Sequence, residues 1–577
     1  MFTNLKIKNF KKLSCADVPL GQTVVFIGPN NSGKTTALQA LTLWDLGARK
    51  WAELRKNSSA RERTGITINR RDLIAIPIPS ARLLWRDLHV RDVGRENGKT
   101  KTKNITFEVA VEGISEGQPW SLALEFDFAN EESFYCRALN WPESREERDR
   151  LLACALKTRV AYLPPMSGLA AEEFRKEPGE IGVLIGEGRT AEVLRNLCHR
   201  VHANTDAWGK LAEHVKRLFR VELLPPAYIP ERSELRMQYR QPDGLTLDLS
   251  SAGRGFQQTL LLLAYLYQNP GSVLLLDEPD AHLEIIRQRE TYNLLTEVAR
   301  ETGSQIIAAS HSEVILNEAA ERDVVVAFVG TPHRLDNRQT SQAAKALKSI
   351  PFDLYYLAET KGWMLFLEGS TDLAILRSLA RKLNHPATDV LQEPPVHYVK
   401  TNIPNHARDV FHGLREAKPG LIGLALFDRL SPPPESTAGL DMLCWSRREI
   451  ENYLVSPTVL DRFARHGQPD DLFGRADADR RAHLMRECIA ELEQALRVTN
   501  KPSPWSADIK VTDDFLDPLF KNFYERLGLT QLLFKRNYHV LADLIEPAEL
   551  QADVRAEIEE KLNAIVAVSR RAHPPAE

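Results

Sequence analysis

Val24-Val25-Phe26-Ile27 runs straight into Gly28-Pro29-Asn30-Asn31-Ser32-Gly33-Lys34-Thr35. The first four residues read as a buried strand, and the glycines and proline stop it. The stopped segment fits GxxxxGK[ST], a glycine-rich turn between strand and helix whose backbone N–H groups approach phosphate oxygens. In that pattern Gly28, Asn30, Asn31, Ser32, Gly33, Lys34, Thr35 and Thr36 wrap a nucleotide. Lys34 faces the β- and γ-phosphates and the Thr35 hydroxyl ligates Mg2+. ATP with Mg2+ is the expected cofactor.

A second motif lies far downstream. Val273-Leu274-Leu275-Leu276-Asp277-Glu278-Pro279 is an apolar strand ending in two carboxylates. Asp277 is placed to hold Mg2+ and Glu278 to polarise an attacking water. After a further strand at Gln305–Ala308 comes Ala309-Ser310-His311-Ser312, where the imidazole of His311 can reach a γ-phosphate. Strands alternating with helices through Asp323–Val329 predict a mostly parallel α/β layer. Ile105–Val111 and Leu122–Phe128 alternate apolar with polar residues and predict an antiparallel hairpin, and Pro242-Asp243-Gly244 predicts a second.

With 577 residues and 65.2 kDa, the chain is long enough for several domains. Its 75 Lys plus Arg against 78 Asp plus Glu exclude polyanion binding by bulk charge, so any nucleic-acid contact must come from local patches. No apolar run is long enough for a bilayer, and the first residues form no secretory signal, which predicts a cytoplasmic protein with no membrane partner. Six cysteines without CxxC pairs argue against a disulfide framework or a cysteine zinc site. The helical spacing of Leu151, Leu152, Leu156, Val193, Leu194 and Leu197 suggests an inserted helical arm over about 145–223. The domain boundary is expected near 355, giving an ATPase domain over 1–355 and a second α/β domain with C-terminal helices over 356–577.

The order of these motifs, with a long stretch between the P-loop and the Asp277-Glu278 strand, resembles the ABC-type ATPases. By that resemblance Ser251-Ala252-Gly253-Arg254-Gly255 is the signature loop, and Ser251 and Gly253 reach the γ-phosphate held by a second copy. This implies a homodimer or higher oligomer through the ATPase heads. The sequence LSGGQ is not reproduced, and capping of a helix by Ser250 or Ser251 is the other reading.

The second domain carries its own acidic pattern. Phe366-Leu367-Glu368-Gly369-Ser370-Thr371-Asp372 and Leu424-Ala425-Leu426-Phe427-Asp428-Arg429-Leu430 each end an apolar strand in a carboxylate, and Arg447-Arg448-Glu449-Ile450-Glu451-Asn452 adds two more. Clustered carboxylates suit Mg2+ or Mn2+. These motifs look like a TOPRIM domain, and the whole chain resembles the overcoming-lysogenisation-defect (OLD) nucleases and the related Gabija-type defence nucleases. The resemblance implies a metal-dependent nuclease regulated by ATP, acting on DNA in antiphage defence. Glu368 is then the catalytic or metal-binding glutamate, with Asp372 and Asp428 beside it. Leu430 stands where a second aspartate of a DxD is usual, so Glu449 or Glu451 is a candidate for the missing oxygen. Asp372 as a helix cap and Glu451 paired with Arg447 are the structural alternatives. Lys535 is a candidate transition-state lysine, with Lys521 as its competitor. Two other functions fit the motifs: an ATPase sensor or scaffold that controls a separate toxic defence protein, and an RNA or tRNA nuclease.

Overall fold

The computed structural model describes residues 1–55, 65–96, 99–139, 141–320, 322–335 and 351–572. The chain forms two compact units, Met1–Gln339 and Thr340–Glu577. The division precedes the helix Phe352–Lys361, whereas a boundary at 355 would cut through it. Of the 340–360 stretch expected to separate the domains, residues 340–350 lie outside the described residues.

In the first unit, the sheet that carries the nucleotide motifs has the order Val160–Leu163, Val273–Asp277, Gln305–Ser310, Thr23–Ile27, Val324–Ala327, His333–Arg334. All neighbours are parallel except the last pair. The three central strands are buried along their whole length, the signature of strands covered on both faces. Asp277 lies opposite Ala309, and Ala309 opposite Phe26, so the three strands finish level beside Gly28.

A second, antiparallel sheet contains Phe2–Phe10, Leu13–Pro19, Phe107–Ser115, Gln118–Asn130, Ser133–Leu139 and Ile66–Asn69. Phe107–Ser115 alternates buried with less buried positions, as the hairpin reading requires. The helix Lys34–Arg55 packs into one core with both sheets through Ala37, Leu41 and Trp44. Trp44 stacks on Trp120 at 5.8 Å and donates to Leu122 O at 2.8 Å. Gln305 joins the sheets, accepting from Phe2 N at 2.8 Å and donating to Phe2 O at 2.7 Å.

The stretch 145–223 is not a purely helical insertion. Its strand Val160–Leu163 pairs with Val273–Leu276 as the edge of the nucleotide-bearing sheet. Four residues between helices give too short a period-two signal to separate from the helical pattern around them.

In the second unit, a parallel sheet has the order Val396–Tyr398, Trp363–Leu367, Ile422–Phe427, Leu440–Cys444. Leu440–Cys444 has no counterpart in the sequence reading. The long helices Leu472–Val498 and Ala552–Ala572 share this sheet's core. Among the described residues, no helix is long and apolar enough to cross a membrane.

Candidate functional site

Elementary backbone geometry shapes the phosphate loop. Gly33 has φ +107°, which favours glycine, and a Cβ on Gly28 would lie 2.8 Å from Phe328 O and from Ser32 Oγ. The buried Ser32 Oγ has no hydrogen-bond partner within the protein, as expected of a donor placed for a phosphate oxygen. Lys34 is 6% exposed and donates to Gly28 O at 2.7 Å and Pro29 O at 2.8 Å. Burial lowers the pKa of this ammonium, and the neighbouring carboxylates of Glu278, Asp277 and Asp280 oppose that fall. Asn31 adopts φ +63°, and its carbonyl accepts from Lys12.

The Asp277 carboxylate is held from two sides. The Thr35 hydroxyl donates to Oδ1 at 3.0 Å and the Tyr162 hydroxyl to Oδ2 at 3.1 Å. Burial raises the Asp277 pKa, while these two hydrogen bonds pull it down. Glu278 turns away from the strand with φ +49°, its N–H donating to Ala309 O at 2.8 Å. A glutamate in the left-handed region costs about 1 kcal/mol, a strain found preferentially at functional positions. His311 Nδ1 stands 4.0 Å from Glu278 Oε1.

The structure therefore brings together Gly28, Ser32, Gly33, Lys34, Thr35, Asp277, Glu278 and His311 at one sheet edge. Orphaned Ser32 Oγ, buried Lys34 and the Thr35–Asp277 pair fit a Mg2+-nucleotide. Ser251 and Gly253 are not joined to this loop by any hydrogen bond. Ser251 donates to Asp248 O at 2.6 Å, and Gly253 is the N-cap of the helix Arg254–Gln268. Tyr162 and the buried Asp280, whose Oδ1 is unpartnered, were not legible in the sequence.

In the second unit, Glu368 and Asp428 follow the ends of adjacent parallel strands. Asp428 Oδ1 accepts from Ile450 N at 3.1 Å, which docks the Glu449–Tyr453 turn against the sheet. Burial, followed by the charges of Glu451, Asp372, Glu368 and Glu449, pushes Asp428 up to about 8. Glu451 rises to about 7, chiefly by burial and then by Glu449, against the pull of Lys535. Lys535 Nζ lies 3.9 Å from Glu451 Oε1. Burial works to lower the Lys535 pKa, but Glu451, Glu449, Asp513 and Glu368 outweigh it and raise the value. Lys521 is exposed and makes no ion pair with these carboxylates.

Individual oxygens have different tasks. Asp372 caps its own helix, with Oδ2 accepting from Glu368 N at 3.1 Å and Gly369 N at 3.3 Å, and Oδ1 from Thr371 at 3.1 Å. Glu449 Oε1 accepts from Thr512 N at 2.5 Å. Glu451 faces Lys535 rather than Arg447, whose guanidinium lies over Tyr453. All four remaining side chains, Glu368, Asp428, Glu449 and Glu451, offer oxygen only, the donor type that Mg2+ and Mn2+ prefer. Among the described residues, no three His, Cys, Asp or Glu side chains form a ready-made metal cage. Lys510 and Asp513, ion-paired at 2.6 Å, join the electrostatic surroundings of Lys535 and Glu449, a link that lysines without a spacing motif could not announce.

A phosphate loop, an Asp-Glu strand end and a parallel sheet define a P-loop ATPase. Residues 24–317, just over half of the chain, match the family described as "AAA domain, putative AbiEii toxin, Type IV TA system", and the chain belongs to that family. A curated OLD nuclease from Thermus scotoductus is 25% identical over 332 residues, covering 54% of this chain and 59% of that protein. The chain thus matches about three-fifths of that relative's length. Among solved structures, the SMC head domain from Thermotoga maritima has a TM-score of 0.33 and 15% identity over 58% of this chain and 99% of its own. An Smc head domain from Pyrococcus furiosus, with an extended coiled coil, has a TM-score of 0.32 and 15% identity over 60% of this chain and 99% of its own. Likenesses at those scores add nothing to the strand order itself.

Proposed function

We propose that this P-loop ATPase is also a divalent-metal-dependent DNA endonuclease of the OLD type, acting in antiphage defence as a homodimer or larger homo-oligomer assembled through its ATPase units. One observation carries the reading: Glu368 and Asp428 follow adjacent parallel strands, and the Glu449–Tyr453 turn, docked on Asp428 through Ile450 N, brings Glu449 and Glu451 into their electrostatic surroundings, with Lys535 3.9 Å from Glu451. Phosphodiester hydrolysis needs charge neutralised on a phosphate that gains negative charge in the transition state. Glu368, Asp428, Glu449 and Glu451 would hold Mg2+ or Mn2+, which supplies Lewis-acid polarisation and a more acidic bound water when present. Asp372 holds the Glu368–Gly369 backbone in place, and the Lys535 ammonium is aimed to stabilise anionic oxygens. In the first unit, Lys34 binds phosphate, Thr35 and Asp277 fit Mg2+, Glu278 orients water and His311 accompanies the γ-phosphate. The similarity to a curated OLD nuclease and the toxin–antitoxin description of the family support the setting.

A second reading, an ATPase scaffold controlling a separate effector, draws on Leu430, which offers no oxygen, and on Asp372, whose oxygens are committed to the cap. Labelled duplex DNA, single-stranded DNA and RNA incubated with protein and Mg2+ or Mn2+ decide between them. Cleavage of duplex DNA, stronger with Mn2+, supports the nuclease. Cleavage of RNA alone changes the substrate, and no cleavage of any substrate selects the scaffold.

A further inference from the structure

Among the described residues, the most deeply buried ion pair of the first unit lies outside the phosphate loop. Glu173 and Arg195 have side chains 0% and 2% exposed, with Arg195 Nη1 3.9 Å from Glu173 Oε2. Glu173 caps the helix Leu194–His202, accepting from Arg195 N at 2.8 Å and from Asn196 N at 2.6 Å. The Arg195 guanidinium spreads outward: Nη1 donates to Ala170 O at 2.9 Å, and Nη2 to Ala171 O and Asp248 Oδ1, each at 3.3 Å. Asp248 also accepts from Ser250 N at 2.9 Å, while its carbonyl receives the Ser251 hydroxyl. One guanidinium therefore fixes three segments: the 170–173 loop, the helix at 194, and the turn that leads into Gly253.

Burying two charges is a poor route to stability, because desolvation offsets most of their attraction and an apolar pair of similar volume does as well. A planar five-donor fork, in contrast, fixes direction as well as charge. We propose that Arg195 is a positioning residue for the Ser250–Gly253 turn: through Asp248 it ties the placement of that turn to the 170–202 region. The proposal rests on the reading above in which Ser251 serves ATP bound to a second copy. The region between the phosphate loop and this turn then governs turnover without touching the nucleotide of its own chain, so that displacing the 170–173 loop lowers hydrolysis while leaving ATP binding intact.

The test uses the full chain and measures ATP hydrolysis, affinity for a fluorescent ATP analogue and the thermal midpoint for Arg195→Lys, Asp248→Asn, their double mutant and Ser251→Ala. Lysine preserves a positive charge beside Glu173 but cannot span both the carbonyls and Asp248, and asparagine can still cap Ser250. Each single variant should lower kcat about tenfold with analogue affinity within about twofold, and the double mutant should be no worse than the poorer single. A kcat that falls only in step with the thermal midpoint, or stays within about twofold of wild type, overturns the proposal. Should Arg195→Lys fail to fold, Asp248→Asn, at a 41% exposed side chain, decides alone. Wild-type turnover in Ser251→Ala removes the signature reading and this proposal together. Slow Ser251→Ala with normal Arg195→Lys and Asp248→Asn removes this proposal only.

Discussion

The two candidate sites stand at the same structural address, the carboxyl edge of a parallel sheet, but they balance charge differently. In the nucleotide site Lys34 lies among Asp277, Glu278 and Asp280, and both oxygens of Asp277 are already satisfied by Thr35 and Tyr162. In the second unit four carboxylates crowd around Asp428, and Lys535 is the cation facing Glu451. The first arrangement has a lysine among its carboxylates and a hydrogen-bond partner for each Asp277 oxygen before a ligand arrives. The second stores electrostatic repulsion that a proton or a divalent cation relieves. A phosphate loop and an acidic cluster are therefore told apart by their charge balance, even though both begin as an apolar strand ending in an acid.

Breaking each site separately should expose this difference. The largest effect is expected for Glu278→Gln, which keeps size and hydrogen bonding but removes the base: steady-state hydrolysis should fall by about a thousandfold with ATP affinity retained. Lys34→Ala should weaken ATP binding by about a hundredfold in a fluorescent-analogue titration, because a buried ammonium on the phosphates is lost. Equal affinity in wild type and Lys34→Ala would contradict the assignment. In the other unit, Glu449→Gln with Glu451→Gln should reduce DNA cleavage by about a hundredfold, comparable to Glu368→Gln if all share one metal shell. Full cleavage by that double mutant would show that these glutamates do not replace the oxygen Leu430 lacks.

Legibility in the sequence followed the range of the interactions. Gly28–Thr35 and Asp277-Glu278 were readable because the chemistry is packed into consecutive residues whose backbone makes the site. Tyr162 was not, since it meets Asp277 across 115 residues from a strand of only four. Likewise no spacing pattern supports choosing Lys535 over Lys521, and the geometry that sets them apart is the approach of Lys535 to Glu451; Leu440–Cys444 was missed because its buried and half-buried positions give only a short signal. Asp372 was ambiguous between ligand and cap in sequence, and its three hydrogen bonds show the cap.

Smaller effects sharpen the contrast. Asp428 and Glu451 titrate near 8 and 7 when folded, above their ordinary unfolded values, so their contribution to stability is complete below about pH 4 and is lost as pH rises through 7 and 8. The metal-free protein should therefore melt several degrees lower at about pH 8.5 than at about pH 6, and Mn2+ should restore more at the higher pH, while proton release on Mn2+ binding should be seen at about pH 6, where the two carboxylates are protonated. A metal effect independent of pH would argue against these carboxylates as ligands. Tyr162→Phe should slow ATP hydrolysis about threefold, as one of two hydrogen bonds to Asp277 is removed and the other remains.

The central claim is that the acidic cluster of the second unit cuts DNA, and nicking of supercoiled plasmid by purified wild type and Glu368→Ala, with Mn2+ and with EDTA, tests it most directly. Nicking by wild type that requires Mn2+ and disappears in Glu368→Ala, while both proteins bind ATP equally, is the result the account predicts. Wild type that leaves plasmid intact, or Glu368→Ala that nicks at the wild-type rate, would contradict it.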